Sequence, residues 1–377
     1  MIYRITSIIF LLCTSVVVQA SDTLIFTALN SLYPIQSGVP QYLKRPENLG
    51  IAGAQLAINE SNKTGKFLNQ TFELHQTSLL NNGWEKANVV LLNLNPEDTA
   101  QFIEEQVPKH RDKLFINIAD QSSKWRSTTC DQSLFHTIPS YAMQADAIGQ
   151  WMLSKQYKTV LAIYGDTAQD NDYLKAIQRT AKRFKLSLVE QKKWSGDFDL
   201  RRTAFEEIPA YTRTKTLYDV VFIADHLKTF GFSVPFNTHW SAPVVGDAGL
   251  YIGAWHHTIE QWGARQIQNR FAETFNRPMK SIDFAGYLAI RAVAYAAQVR
   301  QTTEIGQIAQ TMRSDDFSLA AYKGRKLSFR AYNQQLRMPI ALAHDQALLT
   351  NAPLKGFMHP TTELDTLGID KYESCKS

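Results

Sequence analysis

Between Thr23 and Ala254, short apolar runs of strand length alternate with longer amphipathic runs of helical period, and the pattern is run through twice. Alternation of this kind predicts an α/β fold with parallel sheets covered by helices. In the first half the spacing predicts a strand at Thr23–Leu29, then a loop carrying Pro34, Gly38, Pro40 and Pro46. A helix follows from about Asn48 to Lys63, with Leu49, Ala52, Leu56 and Ala57 on one face and Gly65 as its stop. Further strands are expected at Thr71–Gln76, Val89–Leu94 and Leu114–Ala119.

The second half repeats the scheme. Ser140 caps a helix running to Leu153, and Thr159–Tyr164, Leu186–Gln191 and Asp219–Ala224 read as strands separated by helices at Asp170–Phe184 and about Asp199–Glu207. Strands near Pro243–Val245 and Leu250–Ala254 follow, then helices Gln261–Phe275 and Ser281–Arg300, then strand pieces Lys326–Arg330 and Arg337–Leu342. No Gly/Ser-rich tether separates the halves, so two Rossmann-like lobes joined by several crossings are expected. The expected division is 1–20 as a signal peptide, 21–140 plus about 259–325 as lobe 1, and 141–258 plus about 326–377 as lobe 2. Ligands of open α/β sheets sit at the carboxyl ends of strands, which puts the expected site in the inter-lobe cleft.

Composition excludes several function classes. With 44% apolar residues among 377, the chain is neither disordered nor collagen-like. Forty Lys+Arg against 35 Asp+Glu give a net charge of +5, too small and too scattered for nucleic-acid binding. The N-terminus has Arg4, an apolar stretch from Ile8 to Val18, and Val18-Gln19-Ala20, which predicts an export signal cleaved after Ala20 and a periplasmic mature chain. Beyond Cys13 in that signal, only Cys130 and Cys375 remain. Two thiols in an oxidising compartment are expected to pair, although spacing alone does not distinguish a bond from two free thiols.

The sequence lacks G-x-S-x-G, P-loop, G-x-G-x-x-G, H-E-x-x-H and C-x-x-C motifs. His257 and Glu260, beside His256, have i, i+3 spacing and form a two-ligand fragment, the basis of a rival reading as a metal enzyme or hydrolase. Adjacent carboxylates such as Glu104-Glu105, Glu206-Glu207 and Asp315-Asp316 do not converge on one bond and read as solvated surface.

The Gly50-Ile-Ala-Gly-Ala-Gln-Leu-Ala-Ile-Asn59 helix and Phe284-Ala-Gly-Tyr-Leu-Ala-Ile-Arg291 resemble the type I periplasmic solute-binding proteins of ABC transporters, branched-chain amino acid class. His136-Thr-Ile-Pro-Ser140, Tyr164-Gly-Asp-Thr167, Glu260-Gln-Trp-Gly-Ala264, Leu327-Ser-Phe-Arg330, Gln335-Leu-Arg337 and Glu363-Leu-Asp-Thr-Leu-Gly368 resemble, more narrowly, the subfamily associated with pyrroloquinoline quinone (PQQ)-dependent alcohol catabolism. The resemblance implies a non-enzymatic, monomeric protein with no catalytic cofactor, whose lobes close on a small anionic ligand, PQQ. The partner it implies is an inner-membrane ABC permease or a quinoprotein dehydrogenase. One departure stands out: between Gln76 and Val89 there is too little chain for the usual long helix. An amino-acid or amide receptor of the general class is the alternative, and it calls for an unpaired carboxylate facing a ligand ammonium.

PQQ is a flat fused quinone with three carboxylates, so aromatic faces and guanidinium or ammonium donors are sought on loops after strands. These are Lys124, Trp125 and Arg126 after the strand ending near Ala119; Tyr164, Asp166 and Thr167; then Trp194, Asp225, His226, Trp255 and His256. Trp262 reads as hinge packing, and Lys323, Arg325 and Arg330 surround the last expected crossing.

Overall fold

In the computed structural model the described residues are 22–32, 44–128, 130–195 and 200–375. The expected export signal at 1–20, loop residues Pro34, Gly38 and Pro40, and Asp199 lie outside the described residues. The first elements are β1 (Asp22–Asn30), α1 (Ile51–Gly65), β2 (Gln70–Ser78), β3 (Val89–Asn93), α2 (Pro96–Glu105), β4 (Leu114–Asn117), α3 (Lys124–Ser127) and β5 (Leu134–His136). Next come α4 (Tyr141–Ser154), β6 (Thr159–Tyr164), α5 (Ala168–Phe184), β7 (Ser187–Lys193), α6 (Leu200–Thr212), β8 (Val220–Ala224), β9 (Val244–Gly246) and β10 (Leu250–Gly253). The remainder is α7 (Ala264–Phe275), α8 (Ser281–Arg300), α9 (Ile305–Arg313), β11 (Leu319–Ala320), β12 (Lys326–Phe329), β13 (Leu336–Arg337), β14 (Ile340–His344) and β15 (Ala347–Ala352).

Among the described residues, β2-β1-β3-β4-β5 form an all-parallel sheet. A second sheet has the order β15-β14-β10-β9-β8-β6-β7, parallel from β7 to β10 and antiparallel at β14 and β15. Both parallel parts share one winding, with the order reversing between β1 and β3 and between β6 and β8. Every residue of β3 and of β8 is buried, as expected of central strands with helices on both faces. One core cluster joins the faces packed against α1, α4, α5 and α8, while the opposite face of each sheet has its own cluster.

Two glycines set how α8 meets α1. A Cβ on Gly53 would lie 1.7 Å from the Asp283 carbonyl oxygen, and one on Gly286 would lie 2.3 Å from the Gly50 oxygen. The helices therefore touch backbone to backbone, and the Gly50 N–H donates to Asp283 Oδ1 at 2.8 Å.

The chain passes between the sheets at 137–140, at 254–263 and at 338–339. The sequence reading placed the last passage near 325. Instead β12 pairs with β11 and β13, and Gln335 bridges to His136 at the edge of the first sheet. The expected single strand Arg337–Leu342 is two strands in different sheets, because Pro339 has no N–H to continue a ladder. Helix α7 starts at Ala264 rather than Gln261, since Trp262 and Gly263 are left-handed. The short link before β3 holds a single 3-10 turn at Asn82–Lys86 that buries Trp84. Cys130 and Cys375 are disulfide-bonded, with Cα atoms 5.8 Å apart across a separation of 245 residues.

Candidate functional site

The two reversal points bring the carboxyl ends of β1 and β3 toward those of β6 and β8, with the first and second passages alongside. On the first side, Asn93 Nδ2 donates to Asn30 Oδ1 at 2.8 Å and to the Leu49 carbonyl at 2.9 Å, and its Oδ1 accepts from Arg45 at 3.2 Å. On the second side, the Asp225 carboxylate accepts from the N–H groups of Thr229, Phe230 and Gly231 at 2.7–2.9 Å. Asp170 Oδ1 accepts the His226 N–H at 2.7 Å, while its Oδ2 closes a capping box with Thr167. Both carboxylates thus organise their own loops.

Asp247, just after β9, is different. Its carboxylate accepts the Asp225 N–H at 2.9 Å and has no other hydrogen-bond or ion-pair partner among the described residues. Asp247 is an exposed residue. The protein packed around the carboxylate pushes it up, with Asp225 and Asp170 adding to the rise and the Asp225 N–H and Lys228 opposing it. Tyr141 stacks on Tyr173 beside it, with centroids 4.6 Å apart. Burial first, then Asp247, holds both phenols well above their usual range, and the buried Tyr173 hydroxyl has no partner among the described residues.

Cations gather nearby from both sides. Lys280, at the residue before α8, is pushed down by its burial and then by Lys228, Arg277 and Arg45, against the opposing pull of Asp283. His226 is pushed down chiefly by desolvation, with Arg45 and Lys228 contributing and Asp170 and Asp225 opposing. Arg45 and Lys280 belong to the first side and Lys228 to the second, so the cleft has a cationic flank spanning both. Such a surface binds carboxylates, while Asp247 with its tyrosines suits a cationic group.

The structure scatters the residues singled out from sequence. Trp125 is buried in the outer core of the first sheet with its indole N–H on Asp120 Oδ2 at 2.7 Å. Arg126 is 1% exposed and donates to Gln335 Oε1, Ser122 O, Asp120 O and Ile138 O. Lys124 points outward to Glu104 at 2.6 Å. Tyr164 ends β6 and is half-buried, its carbonyl accepting from Trp194 N–H. Asp166 is exposed and paired with Lys193, and Thr167 caps α5. Trp194 stacks on Phe230 at 4.7 Å. Trp255 is buried against Phe284 with its N–H on Gln268, and His256 bonds Thr258 Oγ1 at 2.8 Å.

Burial and His257 push the His256 imidazole down to about 4, and His257 itself meets the Asp345 carbonyl at 2.8 Å. Among the described residues no group of three His, Cys, Asp or Glu is placed to hold a metal ion. Trp262 lies against Gly324 at the second passage. Lys323 is buried with its ammonium on the Ala254 carbonyl, Arg325 pairs with Glu363, and Arg330 is buried against Asp365. Of the sequence candidates, the structure brings Tyr164, Asp225 and His226 to the cleft ends of β6 and β8. Arg45, Tyr141, Lys228, Asp247 and Lys280 were missed: Tyr141 and Lys280 lie at helix starts and Asp247 just after a strand, while Arg45 lies in the loop before α1 and Lys228 in the loop after β8.

No protein-family model matches the chain, and no curated protein matches it. Solved structures do. A branched chain amino acid ABC transporter periplasmic ligand-binding protein from Burkholderia xenovorans LB400 matches with TM-score 0.70 at 13% identity, over 91% of this chain and 96% of that one. A periplasmic binding protein from Burkholderia mallei matches with TM-score 0.68 at 12% identity, over 94% and 98%. A solute binding protein of an ABC transporter from R. palustris, in complex with benzoate, matches with TM-score 0.67 at 12% identity, over 94% and 100%. The fold is therefore that of the type I periplasmic binding proteins.

Proposed function

We propose that this chain is an exported solute-binding protein of an ABC-type system, which closes two lobes on a small carboxylate-bearing ligand, with PQQ as that ligand. The observation that carries the reading is the cationic flank of Arg45, Lys228 and Lys280 shared by the two sides of the cleft. An anion seated there offsets the mutual repulsion of these groups, and does so fully only when the lobes are together. Closure then follows from the ligand's greater affinity for the closed state, with no bond made or broken. The R. palustris protein, whose structure is in complex with benzoate, is an example of this fold holding an aromatic carboxylate. The loaded, monomeric protein would pass its ligand to an inner-membrane permease or to a quinoprotein dehydrogenase.

A second reading rests on Asp247. Its solvent-facing carboxylate beside Tyr141 and Tyr173 suits an ammonium group, which favours an amino acid. A structure of the same fold from Desulfitobacterium hafniense is in complex with Leu.

Titration of the mature protein with PQQ, leucine and benzoate, followed by tryptophan fluorescence and Tm, separates the two. Saturable one-site binding of PQQ with a raised Tm supports the first reading. Binding of leucine alone replaces it with the second, and no response to any of the three overturns both.

A further inference from the structure

The C-terminal segment from Asp365 to Cys375 is attached to both sheet units and to the passage between them. On the second-sheet side, the Gly368 N–H donates to Asp146 Oδ2 at 2.8 Å, and Arg179 of α5 grips the Gly368 carbonyl at 2.8 Å and the Glu373 carboxylate at 2.5 Å. Asp146 itself, in α4, is fully buried and held by Arg179, Arg183 and Thr180. On the first-sheet side, Ser374 Oγ donates to the Arg126 carbonyl at 3.0 Å, and Cys375 is bonded to Cys130. Between these ends, the buried Arg330 guanidinium donates to the carbonyls of Leu367 and Ile369 and to Asp365. Asp365 also accepts from Arg337, the last residue of β13, at 2.6 Å.

A segment fixed at both ends across a moving junction limits the movement. The run from Gly368 to Ser374 could reach roughly 20 Å if fully extended. It is instead folded into a turn, with the Ser374 N–H on the Asp370 carbonyl at 3.0 Å and Asp370 Oδ1 capping Tyr372 and Glu373. Opening the lobes must first unwind this turn and break the Arg179–Glu373 pair. Without the disulfide, the covalent tie of this end to the first side is replaced by two weaker contacts of Ser374 Oγ, its hydrogen bond to the Arg126 carbonyl at 3.0 Å and its 3.6 Å approach to Cys130 Sγ.

We propose that residues 365–375, locked by Cys130–Cys375, form a brace across the hinge that limits how far the unliganded protein opens. The inference rests on the reading that the two units move on ligand binding. Its release is a two-electron step: a dithiol such as dithiothreitol gives up two electrons and two protons, the Cys130–Cys375 bond becomes two thiols, and the reagent closes to its own disulfide.

Small-angle scattering of the intact protein, before and after treatment with dithiothreitol, tests the brace, with far-UV circular dichroism to show that both forms stay folded. The unliganded reduced protein should have a larger radius of gyration, which reoxidation reverses. A Cys130→Ser/Cys375→Ser variant should match the reduced form without any reagent. PQQ and leucine are then added to both forms. If either binds, its Kd for the reduced form should be about threefold to tenfold weaker, in proportion to the lost closed fraction. A folded reduced protein with an unchanged radius overturns the brace, even if a ligand still contracts both forms. An expanded reduced form that neither ligand contracts keeps the brace and removes the proposed ligands instead.

Discussion

Arg126 Nε donates to Gln335 Oε1 at 2.6 Å, joining two residues 209 positions apart at the place where the chain first and last passes between its sheets. The guanidinium is buried, which pushes it down to about 10, and its other hydrogen bonds run to the carbonyls of Asp120, Ser122 and Ile138. Gln335 completes the knot by donating from Nε2 to the Ile138 carbonyl at 3.1 Å. A residue with the right chemistry for a carboxylate ligand is thereby committed to the junction. Gln335→Leu would leave the Arg126 Nε–H without its acceptor inside the protein, at a cost of about 1.5–3 kcal/mol. The expected result is a lower urea midpoint with an unchanged m-value and an unchanged ligand Kd. A variant with wild-type stability but weaker binding would return Arg126 to the ligand site.

Lys323 makes a pH prediction of definite sign. Burial lowers its ammonium to about 7, and its one hydrogen bond among the described residues runs to the Ala254 carbonyl. The unfolded chain holds this proton up to the ordinary value of 10.5. Between about 7 and 10.5 the unfolded state therefore binds more protons, so stability rises with pH across that window. Below it, the folded protein contains a charged buried lysine. Lys323→Met keeps the length and removes the charge, so the difference in Tm between variant and wild type should be largest near neutral pH and shrink toward pH 10. Parallel Tm curves for the two proteins would show that Lys323 does not titrate in this range.

Asp247 titrates in the opposite direction. Its carboxyl is raised above the ordinary 3.8, so the folded protein holds the proton to higher pH than the unfolded chain does. Stability therefore falls as pH climbs above 3.8, and the ionised carboxylate is a burden on the unliganded protein at neutral pH. Asp247→Asn should match wild type in Tm at about pH 3, where both side chains are neutral. It should equal or exceed wild type at pH 7. If leucine binds, the same variant should lose that binding, because the carboxylate its ammonium would meet is gone. A variant less stable than wild type at pH 7 would mean that Asp247 has a partner in the ligand-free protein.

Long elements were legible because they repeat their signal. Ser281–Arg300 is a helix end to end, and Ser140 caps α4 by accepting the Met143 N–H, as its position before the apolar run implied. Helix α2 was missed although Asn95, Pro96, Glu97 and Asp98 carry a cap, an N1 proline and an acidic first turn. Strands β5 and β11 are too short to show a period. The same limit governs the site. Topology could be read as strand ends, but loop side chains have no periodicity to give their direction, so Trp125 and Trp255 offered as ligand faces are core packing. Asp247 follows a three-residue strand and sits behind Gly246, whose left-handed φ of 110° turns the chain into the cleft. That turn is a tertiary fact.

Lys280 separates the two ligand readings most cleanly. It stands at the residue before α8, half-buried, and its backbone N–H is held by Asp283 Oδ2 at 3.0 Å, so the position of its stem is set by the helix start. Lys280→Gln keeps most of the stem and the polarity while deleting the charge. In the unliganded protein the change relieves repulsion from Lys228, Arg277 and Arg45, so Tm should stay level or rise. With a ligand carrying several carboxylates, one charge-assisted hydrogen bond is lost, about 1.5–3 kcal/mol, or roughly 10- to 150-fold in Kd. PQQ binding should weaken by that factor, and its dependence on salt should flatten. Leucine, whose single carboxylate can be met by the remaining donors, should weaken less. Equal loss for both ligands would place Lys280 in the frame of the cleft instead of against the ligand.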